Sequence, residues 1–107
     1  MVEKNTARRA VLVGIAPDGG ALEEAARSLD ELERLLDTAG GTAAARVIQV
    51  KSAYDPRTCI GSGKVREIRE LCEREEIDLA VFDFELSPSQ IRNLEEDIGC
   101  VDVIDRS

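Results

Sequence analysis

The chain has no histidine and no tryptophan, one tyrosine and two phenylalanines. Without histidine there is no Ser-His-Asp triad. With no Cys-x-x-Cys spacing either, no transition-metal site is expected. The three cysteines, Cys59, Cys72 and Cys100, are odd in number, so a disulfide framework is not expected. So few aromatics offer little surface for stacking on bases, as single-strand binders do. No apolar run approaches the roughly 20 residues of a membrane helix. The polar stretch from Met1 to Arg9 does not read as a secretory leader. The expectation is a cytoplasmic protein with no membrane contact.

What is present is one ordinary core. A length of 107 residues with 43% apolar content suits a single domain, 1–107. The net charge of −8 is a poor match to nucleic acid, but it is unevenly spread. Residues 46–69 carry six basic and two acidic groups, a net of +4, while residues 70–107 carry a net of −9. One short basic segment therefore sits inside an acidic domain. It reads either as a solvated face or as a phosphate-contacting surface.

Apolar patterning predicts β-α-β-α-β-α-β. Ala10–Ile15, Ala44–Val50, Leu79–Phe82 and Val101–Ile104 read as strands. The first helix carries Leu22, Ala25, Leu29, Leu32 and Leu36 on one face, and a possible internal capping box at Ser28 and Glu31 would delay its regular start. The fold class is α/β: three layers around a four-stranded parallel sheet with right-handed crossovers. The first and third strands are uniformly apolar and should be central, giving the order 2-1-3-4. The first helix then covers one face and the other two helices cover the opposite face. The loops at the carboxyl ends of the strands, where ligands bind in such sheets, are Ala16–Gly20, Lys51–Gly61 and Asp83–Ser87.

Two motifs stand out. In LSPSQIRNLE, Leu86–Glu95, Ser87 is placed to cap a helix and Pro88 falls at its first position. Gln90 completes a capping box, and Leu86 with Ile91 has the spacing of a hydrophobic staple. Gly99 suits the left-handed position at the helix end. Helix formation leaves Arg92, Asn93 and Glu95 unexplained. In GSGK, Gly61–Lys64, a helix opens on glycine after a strand. This is not an intact Walker A loop, because Thr58 and Val65 occupy the positions of its first glycine and its hydroxyl. What remains is a helix N-terminus whose amides, at Gly61, Ser62 and Gly63, could meet an anion, with Arg57 and Lys64 adding charge. Asp55, Asp83 and Glu85 would oppose an anion there. The alternative is a glycine-rich helix start with an exposed lysine.

Together, DPRTCIGSGKVREI (Asp55–Ile68), LAVFDFELSPSQIRNLE (Leu79–Glu95), VDVIDR (Val101–Arg106) and SLDELERLLDTAGG (Ser28–Gly41) resemble the N-terminal domain of the HflX family of translational GTPases. The likeness runs from about Val11 onward. Cys59 stands where an aromatic is usual, and Ser107 where a threonine is. The resemblance implies a longer protein, continuing into a helical region and a Ras-like G domain. GTP and magnesium would bind in that later domain, with no cofactor held by these residues. It implies as partners the large ribosomal subunit, its ribosomal RNA, and the protein's own helical and G domains. The expected role is a docking and regulatory domain of a protein that splits or rescues stalled ribosomes. The parent would be a hydrolase, while this region has no intact hydrolysis motif. By the same resemblance Arg57, Gly61, Ser62, Gly63 and Lys64 are candidates for phosphate or RNA contact, and Arg92 and Asn93 for partner contact. Two other readings stay open: an ATP-binding, RNA-remodelling module, and a structural domain that restrains the G domain.

Overall fold

The computed structural model describes residues 8–51, 55–99 and 101–106. Four strands form one parallel sheet: β1 (Arg9–Ala16), β2 (Thr42–Val50), β3 (Leu79–Phe82) and β4 (Asp102–Asp105), in the order β2-β1-β3-β4. The helices are α1 (Leu22–Thr38), α2 (Ser62–Glu75) and α3 (Pro88–Ile98), with one 3₁₀ turn at Gly19–Ala21 before α1. Among the described residues no helix is long and apolar enough to cross a membrane. The expected fold class and strand order are both observed.

Strand alternation sorts the core into two layers. Along β1, Ala10 and Leu12 face α1 and pack with Leu29, Leu32, Leu79 and Val81. Val11 and Val13 face the other way and join Val65, Ile68 and Cys72 of α2 with Leu94 and Ile98 of α3. One helix thus covers one face and two cover the other. β1 and β3 are buried on both faces, which is why they tolerate no polar residue between Ala10 and Val13 or between Leu79 and Phe82. β2 is an edge, so it can carry Arg46, which reaches Glu33 at 2.6 Å and Asp30 at 2.7 Å on α1.

Three local expectations change. α1 does not wait for Ser28: it begins at Leu22, behind the 3₁₀ turn, with Glu23 and Glu24 favourably placed in its first turn. Leu22 is not part of the buried stripe but 41% exposed, and burial on α1 centres on Leu29 and Leu32. Gly99 takes φ +108 and ψ −97, a positive-φ conformation outside the left-handed helical basin, and the chain enters β4 within three residues of it. Gly40 and Gly41 do end the α1 region, since Gly40 has φ +94 and a Cβ on Gly41 would lie 2.5 Å from the Leu36 side chain.

The start of α3 follows the sequence reading in detail. Ser87 Oγ accepts from the Gln90 amide at 3.1 Å, and Gln90 Oε1 accepts from the Ser87 amide at 2.9 Å. Leu86 and Ile91 belong to the same apolar layer. Ser87→Ala should lower stability by about 1 kcal/mol. Urea denaturation of Ser87→Ala, Gln90→Ala and the double variant should show coupling of about 0.5 kcal/mol or more between the pair. Strictly additive losses would contradict the reciprocal cap.

Candidate functional site: the strap and glycine loop beside α3

The connection from β2 to α2 is long; the Lys51 amide still bonds to the Ala16 carbonyl of β1, but residues 55–61 lie off the sheet, so their polar groups need other partners. Residues 55–61 form a strap that meets this need in two ways. Within it, Asp55 and Cys59 exchange both backbone hydrogen bonds, at 3.1 and 2.7 Å. Asp55 Oδ1 accepts from the Arg57 amide at 2.9 Å, and the buried Thr58 hydroxyl donates to the Ile60 carbonyl at 2.7 Å. Cys59 closes the turn at φ +71, a conformation uncommon for any residue but glycine. Its side chain is buried, so this position offers no surface for stacking.

From outside, the strap is clamped by α3. Asn93 Nδ2 donates to the Arg57 carbonyl at 3.0 Å, and Gln90 Nε2 donates to the Pro56 carbonyl at 3.3 Å. The Arg57 guanidinium binds Asp97 at 2.9 Å and lies 3.8 Å from Glu96. That hydrogen bond from Arg57 to Asp97, more than any other contact, raises the arginine's pKa above its ordinary value. Gln90 therefore serves both motifs at once: its oxygen caps α3 and its nitrogen holds the strap.

The glycine loop is held from the other side. Gln49 Oε1 accepts from the Gly61 amide at 3.0 Å, so this amide is not open to an anion as the sequence suggested. A Cβ on Gly61 would lie 3.5 Å from both Gln49 Oε1 and Lys51 Nζ, which places the Lys51 ammonium beside the start of α2. The Val65 amide bonds to the Gly61 carbonyl, so the amides open to a ligand are those of Ser62, Gly63 and Lys64. A side chain at Gly63 would meet open space, and α2 has no acidic residue in its first turn. Lys64 pairs with Glu67 at 3.1 Å.

The residues singled out from sequence thus separate. Arg57, Gly61, Ser62, Gly63 and Lys64 come together at one end of α2. Asn93 joins them, but as a clamp. Glu95 accepts from the Val103 amide at 3.3 Å and so fastens β4. Arg92 is exposed and has no partner among the described residues. Of the three opposing carboxylates, Asp83 is held by Arg106 at 2.6 Å with its side chain 6% exposed, and Asp55 is engaged within the strap. Glu85 is exposed. Sequence reasoning missed Gln49 and Lys51, and the visible signal was Gln49 interrupting an otherwise apolar strand. It also missed the fastening role of Asp105, which accepts from the Leu86 amide at 2.7 Å. Among the described residues no group of three or more His, Cys, Asp or Glu side chains is arranged to hold a metal ion.

Burial, and then the charge of Asp55, push the Cys59 thiol above its ordinary pKa. The folded state therefore favours the neutral thiol. Its contribution to stability is complete below the unfolded thiol value of about 8.5 and fades as pH rises through the folded value. Stability should hold steady to about pH 8 and then decline, with part of that decline absent in Cys59→Ala. Superimposable pH profiles for the two proteins would refute this. Asn93→Ala should cost about 1 kcal/mol and speed alkylation of Cys59, located by peptide mass mapping.

A family model described as GTP-binding GTPase N-terminal matches residues 26–107. The GTPase HflX of Lacrimispora saccharolytica is 42% identical over 106 residues, covering 97% of this chain and 24% of that protein. The GTPase HflX of Flavobacterium psychrophilum is 38% identical over 109 residues, covering 100% of this chain and 26% of that protein. The GTPase HflX of Escherichia coli is 38% identical over 79 residues, or 74% of this chain and 18% of that protein. The chain spans about a quarter of the length of the first two relatives. Its fold is similar to that of SsGBP, solved as a GDP complex, with TM-score 0.60 and 19% identity over 92% of this chain and 26% of that one. A GTP-binding protein from Sulfolobus solfataricus in complex with GDP matches with TM-score 0.57, again at 19% identity, over 92% of this chain and 27% of that one.

Proposed function

Because the chain belongs to the HflX family of GTPases, as an N-terminal domain, we propose that it docks and regulates a GTP-binding protein on the large ribosomal subunit, where that protein splits or rescues stalled ribosomes. The setting is the cytoplasm, and the partners are ribosomal RNA and the protein's own helical and G domains. GTP and magnesium belong to the G domain, and no cofactor is assigned to these residues. One observation carries the docking reading: the start of α2. The open amides of Ser62, Gly63 and Lys64 face outward at the positive end of a 14-residue helix with no carboxylate in its first turn. Lys51 stands beside them, although a cation at that end is unfavourable unless an anion joins it. An RNA phosphate supplies that anion, and the bare Gly63 lets it approach. The clamped strap holds Arg57 and Gly61 in place beforehand, which lowers the ordering cost of binding.

The reading as an ATPase module is weaker. Thr58 and Val65 stand where a phosphate loop needs glycine and a magnesium-binding hydroxyl, and Thr58 is buried with its hydroxyl committed to Ile60. The structural reading draws on Arg92 on α3, exposed and without a partner among the described residues, a candidate contact for the neighbouring domains.

The test is co-sedimentation with large ribosomal subunits across a salt series, beside an ATP titration. Lys51→Gln with Lys64→Gln should weaken subunit binding about fivefold per lost phosphate contact near 0.1 M salt and flatten its salt dependence. Unchanged binding in the double variant would count against docking through α2, and saturable ATP turnover by the chain would favour the ATPase module.

A further inference from the structure

On one face of the sheet, α1 lies over β1 and β2 and reaches Leu79 and Val81 of β3. A helix with its side chains is about 10 Å across, and four strands about 4.8 Å apart make a wider sheet than one helix can cover. The β4 end of this face is left open, and the two sides of β4 show it. Val103 packs in the layer of α2 and α3 and is 5% exposed. Ile104 points to the α1 side, in register with Val81, and is 47% exposed. Leu35, on the neighbouring flank of α1, is 57% exposed. Between them runs an open groove of about 260 Å³, with Val81, Leu32, Leu35 and Leu36 on the sheet and α1 side and Ile104 and Arg106 on the other. Two of the four exposed large apolar side chains among the described residues thus meet in one groove, where scattered ones would mean nothing.

The chain leaves the sheet at the rim of this groove, and its exit is fixed. Asp105 Oδ2 accepts from the Leu86 amide at 2.7 Å, while Arg106 binds Asp83 at 2.6 Å and also Glu31. Each earlier strand hands over to a helix: β1 to α1, β2 to α2 and β3 to α3. Because all four strands are parallel, each of these helices returns the chain to the amino edge of the sheet. A segment following β4 can return over only one face, since α3 already packs on β4 from the other. The open groove runs along that path, from Arg106 at the carboxyl edge to Ala39 just past the end of α1. The HflX relatives have such a segment to place, because this chain spans about a quarter of their length.

We propose that the groove between α1 and β4 is the seat of an amphipathic helix formed by the segment that directly follows Ser107 in the full-length protein. Its apolar stripe covers Leu35 and Ile104 and gives the sheet two helices on each face. β4 is about 13 Å long, so about nine helical residues are enough to run back along it. The occupant rests on family membership and on the helical region named under the proposed function, and not on ribosome binding. Attachment at Arg106 keeps the helix at high effective concentration, so modest apolar contact is enough to hold it. The groove thereby sets where the rest of the protein leaves this domain.

The experiment compares three proteins: the 107-residue chain, the same chain lengthened by the next ~20 residues of its parent, enough for a turn and that helix, and the full-length parent. Leu35→Cys and Ile104→Cys are labelled with a maleimide in each, with Leu22→Cys at the far end of α1 as control, and peptide mass mapping separates them from the native cysteines. Lengthening should slow labelling at the two groove positions about tenfold and leave Leu22→Cys unchanged. In thermal melts, Leu35→Gln with Ile104→Gln should leave the 107-residue chain within about 2 °C and lower the lengthened chain by about 5 °C or more. Unchanged groove labelling in the lengthened chain overturns the proposal, as do equal melting shifts in the two chains. Slowing that appears only in the full-length parent overturns this segment as the occupant in favour of a more distant domain. Slowing in the 107-residue chain that grows with its concentration overturns it in favour of a second copy. No ribosome enters these measurements, so a groove that stays open leaves docking through α2 standing, and lost subunit binding leaves the groove standing.

Discussion

The Asn93 amide on the Arg57 carbonyl is the contact on which the working end of this domain depends. A strap that leaves the sheet must find partners for its backbone or stay exposed to water. Here α3 supplies them, through Asn93, Gln90 and the Asp97 carboxylate. The capping box that starts α3 fixes where Gln90 stands, so helix initiation and loop placement share one side chain. Gln49 holds the strap's far end at Gly61. These two anchors hold the start of α2, with its open amides and the Lys51 ammonium beside it.

The charge distribution follows the same division of labour. Several basic groups are spent on fastening. Arg8 ties Asp78 and Asp102, Arg46 ties Asp30 and Glu33, and Arg106 ties Glu31 to the nearly buried Asp83. The exposed pairs among them add little stability one by one, but together these contacts neutralise carboxylates in the vicinity of the sheet. Among the described residues, the cations without a carboxylate partner include Lys51 beside the glycine loop and Arg66 on α2, both in the segment that carries a net of +4. An acidic domain can in this way present a local surface of the opposite sign.

The fold was legible because each signal was short-range or periodic. Two-sided burial made β1 and β3 continuous apolar runs, and polar interruptions marked β2 as an edge. The cap at Ser87 could be read atom by atom, since all its partners lie within three residues. The errors were also physical. The internal cap at Ser28 lost to a helix that had already started at Leu22. Leu22 sat on the right face by periodicity yet is 41% exposed, because periodicity gives a direction and not the distance to a neighbour. Asn93 and Glu95 looked free for a partner because their acceptors and donors are 36 and 8 residues away in sequence.

The sequence by itself determined the order of elements, the parallel sheet and its edges, and the family to which the chain belongs, because these rest on periodicity, local capping and paired motifs. Tertiary structure alone decided which polar side chains are already used. It tied Asn93 to the Arg57 carbonyl and the Arg57 side chain to Asp97, occupied the Gly61 amide with Gln49, and brought Lys51 to the start of α2. It also brought Arg57 of the strap and Arg66 and Arg69 of α2 together with Glu96 and Asp97 of α3. Hydrogen-bond saturation and the meeting of charges from separate elements depend on distances that no local pattern encodes.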